Sequence, residues 1–303
     1  MAFNYLQFAI PDVQGLVTLR QVLNAELGAT QATLHWMLIG LMLLFTVINL
    51  ISTPVLLGQL WRWRSNGAAY AAFLSGPPTM SVGIFVPIAS LSMTACVILA
   101  PFAFFVPQFS SNLQQMMLPG LIFFGLLWVA MFRLEFKLLK YWLSHPFDLK
   151  QVNFVWLLDV FSFGLVSLTG TGIAAMANDM PIASLAAFAS FFTLIFGGLL
   201  LIAKLSYLLY LQIKADTLPG KNILPAYFIL IPISCLYGFS LYRIALYLKK
   251  QFAFDISILL FSTITIPYII ALVWGLFCLY LLFEYLKDDF LKSDFAPPQW
   301  AMV

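Results

Sequence analysis

The chain has 303 residues, 62% of them apolar and only 9% charged, with a mean hydropathy of +0.97. Soluble domains carry roughly 25% charged residues, so a water-soluble globular fold is excluded and an all-α polytopic membrane protein is indicated. The net charge of +3 is small and its Lys and Arg are scattered between apolar runs, which makes them topology signals and excludes a nucleic-acid footprint.

Residues 1–33 hold no charged n-region followed by an apolar h-region, hence no secretory signal, and are read as an extramembrane or interfacial segment. Residues 34–303 are read as one transmembrane domain. Seven spans are expected, near 34–60, 80–106, 116–142, 151–176, 182–210, 223–248 and 254–286. Each reaches the roughly 20 residues a helix needs to cross a bilayer. Connections such as Asn178-Asp179-Met180-Pro181 and Leu218-Pro219-Gly220-Lys221 are short and rich in turn residues, which joins successive spans into hairpins. An eighth helix is expected to begin at Phe295–Val303, with Pro297 and Pro298 in its first turn, where a lost N–H is harmless. The sequence therefore reads as a piece of a longer product, short of one span at the front and of the rest of the last hairpin.

Positive residues orient the chain. Arg62, Arg64, Lys137, Lys140, Lys150, Lys214, Lys221, Lys287 and Lys292 fall on one side, which the positive-inside rule makes cytoplasmic; Arg20, Arg243, Lys249 and Lys250 oppose it. The amino terminus is then outside, and the aromatic pairs Trp61/Trp63 and Tyr141/Trp142 mark the interface.

Within the spans, one phrase occurs twice: Phe85-Val86-Pro87-Ile88-Ala89-Ser90-Leu91 and Leu230-Ile231-Pro232-Ile233-Ser234-Cys235-Leu236. Proline removes a backbone donor and clashes with the preceding turn, so in a bilayer it requires protein or water to satisfy the freed carbonyl. Both runs read as kinked helices sharing one cavity, with Ser90, Ser92, Thr94, Ser234 and Ser240 at hand as polar partners. Two such helices in equivalent places point to a pore or transport site.

Charges inside spans cost roughly 2.5–3.5 kcal/mol each at the bilayer centre on insertion scales. Asp159, a little over two turns into its span, is therefore read either as a proton carrier or as half of an interhelical ion pair with Arg133 or Lys204. Arg133, Glu135 and Lys137 are placed near the inner interface with snorkelling side chains. Gly164, Gly170 and Gly172 fit either a polar pore wall or close helix packing.

Enzymatic chemistry finds no support. His35 and His145 fall on opposite sides of the membrane, and Cys96, Cys235 and Cys278 sit singly in apolar runs, so no metal site, cofactor site or catalytic centre is assembled. Thr169-Gly170-Thr171-Gly172 precedes no Lys-Ser/Thr and is no phosphate loop.

The string Pro78-Thr79-Met80-Ser81-Val82-Gly83-Ile84-Phe85-Val86-Pro87-Ile88-Ala89-Ser90-Leu91, the loop His145-Pro146-Phe147, the later Ile231-Pro232-Ile233 and the terminal Pro297-Pro298-Gln299-Trp300-Ala301 resemble the tellurite-resistance/dicarboxylate transporter family, related to slow-type anion channels. That resemblance implies a fold of ten helices in five hairpins around a central pore, usually trimeric, with the spans here matching its second to eighth helices. It implies inner helices around Pro87, Gly164–Gly172 and Pro232, and outer spans starting near Leu34, Met116, Ile182 and Asp255. The implied pathway residues are Pro87, Ser90, Thr94, Asp159, Phe163, Ser167, Thr171, Pro232, Ser234 and Tyr237. The family's gating phenylalanine has no counterpart before Val303. An arc with two inner helices missing exposes its Ser and Thr in a groove unless the amino-terminal residues or a partner fill it.

The expected function is passage of a small anion (a dicarboxylate, sulfite or other oxyanion, or a halide) across a bacterial inner membrane by a homo-oligomer. An unrelated secondary transporter with broken helices fits the internal repeat equally, and a non-transporting fragment or subunit fits the missing ends.

Overall fold

A computed structural model describes residues 2–10, 16–25, 28–145, 152–215, 219–221, 223–253, 256–288, 290 and 297–302. Among them there is no strand, and seven helices are long and apolar enough to cross a membrane. They are α1 (Ala29–Ser65), α2 (Pro78–Phe105), α3 (Leu113–Ser144), α4 (Phe154–Met176), α5 (Met180–Lys214), α6 (Leu224–Phe252) and α7 (Ser257–Leu281). The chain is an all-α integral membrane protein. Pro146, Phe147, Lys150, Leu218, Asp255, Lys292 and Phe295–Ala296, all used in the sequence reading, lie outside the described residues.

Successive spans run in opposite directions, so α2, α4 and α6 are parallel, and the end of the bundle at which these three begin is termed proximal. The fourth span is the hub: α2, α3, α5 and α6 all pack on it, while α1 packs on α2 and α7 on α6. In its most apolar stretch 72% of residues are buried, against 56% for α6, 28% for α2 and 6% for α7. The alternation of inner and outer spans therefore holds for α4 and α6, whereas α2 is covered no better than the outer span α3.

Small residues set this packing. A Cβ on Gly164 would lie 3.1 Å from Leu236 and Tyr237, a tight approach of α6, and one on Gly170 would lie 2.5 Å from the Phe124 ring, so α3 approaches α4 there more closely than a side chain at that position permits. The buried positions of α5 (Ala183, Ala186, Ala187, Ser190, Thr193, Leu194, Gly197, Lys204 and Leu208) repeat at helical spacing and form a small-residue seam against α4. The glycines of α4 are packing devices. A cluster of Phe132, Phe163, Phe192 and Phe196 fills the space beside that seam, with Phe163 5.2 Å from Phe132 and 5.3 Å from Phe196 between ring centroids.

The three parallel spans open alike. Each begins with a 3₁₀ segment, or contains one in its first turns, before the α-helix proper: Val82–Phe85 in α2, Phe154–Leu157 in α4 and Leu224–Ile229 in α6. The second of these segments touches the other two. This arrangement corrects the reading of the repeated prolines. Pro87 and Pro232 are not mid-helix kinks: they stand in the first turn after the 3₁₀ segment, at the second and third α-helical positions. The carbonyls they would leave open belong to Gly83 and Phe228, and these accept the Val86 and Leu230 N–H groups instead. No hydroxyl is needed for the repair. Nor do the two helices adjoin, because α4 lies between them. Prolines inside regular helix are Pro54, Pro119 and Pro267, and Pro101 sits in a π-helical turn, Ile98–Phe102, near the distal end of α2.

Among the described residues the expected groove of lipid-exposed hydroxyls is absent. Ser92, Ser162, Ser167, Thr169, Thr171, Ser190 and Ser240 are all buried against protein. Among the described amino-terminal residues, Phe3, Leu6, Ile10, Val17 and Val22 pack on Ile39 and Met42 of α1 and on Phe104 at the distal end of α2.

Candidate functional site: two polar centres on one helix seam

The first centre lies toward the proximal end, where α3, α4, α5 and α6 meet. Asp159 stands in the first turn of the α-helical part of α4, not two turns deep, because Phe154–Leu157 is 3₁₀. Its Oδ1 accepts the Val160 N–H at 2.7 Å, as suits a carboxylate at a helix amino end. Its Oδ2 accepts Lys204 Nζ of α5 in an ion pair whose side chains are both buried. Lys204 also donates to the Trp156 carbonyl at 3.2 Å and lies over the rings of Trp142 (4.9 Å) and Trp156 (4.6 Å). A carbonyl, a carboxylate and two π-faces therefore surround one ammonium, which is how such a charge is kept from lipid.

Glu135 of α3 belongs to the same centre. It is fully buried, within electrostatic reach of Asp159 and Lys204, and neither of its carboxyl oxygens has a hydrogen-bond partner among the described residues. The interfacial, snorkelling position expected for it is overturned; Arg133 and Lys137, one on each side, are exposed, and only they follow that expectation. The helical phase explains the difference. Phe124, Leu127, Met131, Glu135, Leu138 and Trp142 form the buried stripe of α3, and Glu135 falls on it. From α6, the Tyr237 hydroxyl donates to the Val160 carbonyl at 3.3 Å and closes the centre beside Phe163 and Gly197.

The second centre lies within the spans, further along the α4–α6 seam. Arg243 of α6 is nine residues from Phe252, about 14 Å along the helix. The sequence reading counts it only among the charges opposing the inside-positive bias, and the structure gives it another place: its Nη1 donates to the Leu168 carbonyl of α4 at 2.9 Å. The guanidinium lies 4.5 Å from the centre of the Phe239 ring, and Gly172 makes room for it, since a Cβ there would be 3.1 Å from Nη1. Cys96 of α2 is within electrostatic reach of Arg243 and its Sγ lies 3.6 Å from the Thr169 hydroxyl, which in turn donates to the Ser92 carbonyl at 3.2 Å. Arg243 therefore sits where α2, α4 and α6 come to one level. No carboxylate among the described residues pairs with it. Lys250, also counted against the bias, caps α4 by donating to the Ala177 carbonyl at 2.9 Å, a favoured place for a cation.

Comparison with family models, with curated proteins and with solved structures finds no match for this chain.

The residues expected along a pathway fall into separate groups. Asp159, Phe163 and Tyr237 come together at the first centre. Thr171 joins the second, its hydroxyl reaching the same Leu168 carbonyl at 3.2 Å, and Ser167 is buried beside it in sequence with no partner for its hydroxyl among the described residues. Thr94 faces away toward α1, bonding Asn49 at 3.0 Å and Thr53 at 2.7 Å, and also reaches the Ser90 carbonyl. Ser234 bonds the Ile231 carbonyl within its own turn, and Pro87, Ser90 and Pro232 are half-buried. Of the two sequence readings of Asp159, the ion pair with Lys204 is the one the structure contains, and Arg133 plays no part. Glu135 and Arg243 are the site members that sequence reading misses.

Proposed function

We propose that this membrane protein moves a small anion across the bilayer, and that Arg243 is the seat of that anion. The observation that carries the reading is a guanidinium within a membrane-spanning helix, with no carboxylate partner among the described residues, held by a backbone carbonyl between three parallel spans. An arginine inside a bilayer needs a counter-charge or a polar cradle, and a guanidinium that spends one of its five donors on the Leu168 carbonyl has others to offer an anion. The Thr169 and Thr171 hydroxyls and the Cys96 thiol at the same level suit a hydrated oxyanion or halide better than an apolar solute. The resemblance of Pro78–Leu91 and Ile231–Ile233 to the tellurite-resistance/dicarboxylate transporters points the same way, and with it a homotrimer in a bacterial inner membrane.

The test is flux in proteoliposomes holding the purified full chain, with malate, sulfite and chloride offered separately. Protein-dependent, saturable flux of at least one anion is expected. Arg243→Met should reduce it at least tenfold and Arg243→Lys less, with both variants monodisperse. Absence of flux for all three anions with folded protein, or full flux in Arg243→Met, would overturn the reading.

A further inference from the structure

We infer that Glu135 is a buried proton-binding site, and, resting on the transport reading above, that a proton there and an anion at Arg243 favour each other's binding. Around Glu135 the neighbouring spans bring Asp159 from α4, Lys204 from α5 and Tyr237 from α6. The second span brings no Asp, Glu, Lys, Arg or His anywhere along its length. On α3 itself Arg133 and Lys137 point outward to the exposed face. Two carboxyl groups thus share one ammonium, and the ammonium is committed to Asp159, to the Trp156 carbonyl and to two indole rings.

Glu135 receives nothing comparable. Both of its oxygens are buried with no donor among the described residues, although an ionised carboxylate offers about four acceptor sites. A carboxylate stripped of water and given no hydrogen bond is among the least tolerable groups in a protein interior, whereas a carboxylic acid there is only a modest burden. The site is built for the neutral, proton-loaded form. When the proton leaves, the centre of Glu135, Asp159 and Lys204 carries a net negative charge in a medium of low dielectric.

That charge is felt at the second centre. Both centres lie on the α4–α6 seam: Tyr237 reaches Val160 and Arg243 reaches Leu168, eight residues or about 12 Å apart along α4. Salt does not screen charges across so short a protein-filled gap. An anion at Arg243 is repelled by the unloaded centre and not by the loaded one, and by linkage the anion must equally raise the affinity for the proton. The consequence is movement of anion and proton together.

Two measurements separate this inference from the transport reading. Infrared spectra of the purified full chain, taken against pH, should show the carbonyl stretch of a protonated carboxylic acid that is missing in Glu135→Gln. Should Glu135→Gln fail to fold, Glu135→Met serves, since it also removes the acid. Absence of that band from the wild type, or its persistence in a folded variant, overturns the proton site. In proteoliposomes, an inward proton gradient should accelerate anion uptake at least tenfold in the wild type and less than twofold in Glu135→Gln. Equal acceleration in both, or acceleration by a sodium gradient instead, overturns the coupling. A band lost in Glu135→Gln from a protein with no flux would support the proton site and defeat only the transport reading.

Discussion

Removing the ammonium of Lys204 is the sharpest perturbation of the proximal centre. Lys204→Met keeps most of the aliphatic stem between Trp142 and Trp156 but leaves Asp159 with only the Val160 N–H, facing Glu135 without a cation between them. Breaking a buried pair by deleting one partner costs about 3–5 kcal/mol. At about 2 °C per kcal/mol for a large chain this is a fall of roughly 6–10 °C in the unfolding midpoint. Asp159→Asn should cost less, about 2 kcal/mol, because Lys204 keeps the Trp156 carbonyl and the two rings. The double variant Asp159→Asn/Lys204→Met removes both charges, and the Asn oxygen still accepts the Val160 N–H. It should return to within about 1–2 kcal/mol of wild type, so the two changes couple by at least about 2 kcal/mol. The assay is the midpoint of heat-induced loss of the monodisperse peak in detergent at fixed pH. If both singles shift it by less than about 2 °C, or the double equals their sum, the pair does not hold the spans together.

Other expectations rest on the same packing. Gly170→Val should abolish the monodisperse protein, since its branched side chain must enter space held by Phe124 and Ser190; gel filtration of the detergent extract decides, and a normal profile would refute the tight α3–α4–α5 contact. Thr94→Val removes the bonds to Asn49 and Thr53 and should cost about 0.6–1.7 kcal/mol, read as a small midpoint shift, with anion flux unchanged because Thr94 faces α1 and not the seam. In a variant lacking the native cysteines, Ser65→Cys and Ser144→Cys should be labelled by an impermeant thiol reagent from the cytoplasmic side and Asn112→Cys from the opposite side. The reverse pattern would invert the orientation drawn from Arg62, Arg64, Lys137, Lys140 and Lys214.

Composition and local pattern suffice to establish that the chain crosses a membrane as helices, and nearly where each helix lies. Apolar length is a local property, and in hydrocarbon every backbone group must be satisfied within its own segment, so the spans expected from composition match α1 to α7 to within about five residues at every end. The same reading marks Asp159 as costly and names Lys204 as a partner for it. Part of what it misses is still legible. The stripe Met131, Glu135, Leu138, Trp142 places Glu135 on the buried face of α3 while Arg133 and Lys137 fall off it, but a cluster of charges near a span's end reads as interface unless each is phased separately.

Other features required the assembled helices. Whether a proline kinks a helix or merely follows a 3₁₀ turn depends on which N–H reaches the freed carbonyl, and the words around Pro87 and Pro232 are the same in either case. The role of Arg243 depends on α4 supplying the Leu168 carbonyl and the gap at Gly172, more than 70 residues earlier in the chain. The burial of the hydroxyls likewise comes from α4 being enclosed by four neighbours rather than lying open along an arc. Span positions are fixed by interactions within a segment. The charges of Glu135 and Arg243 acquire their meaning only from side chains and carbonyls that distant spans bring beside them, and no local pattern encodes that meeting.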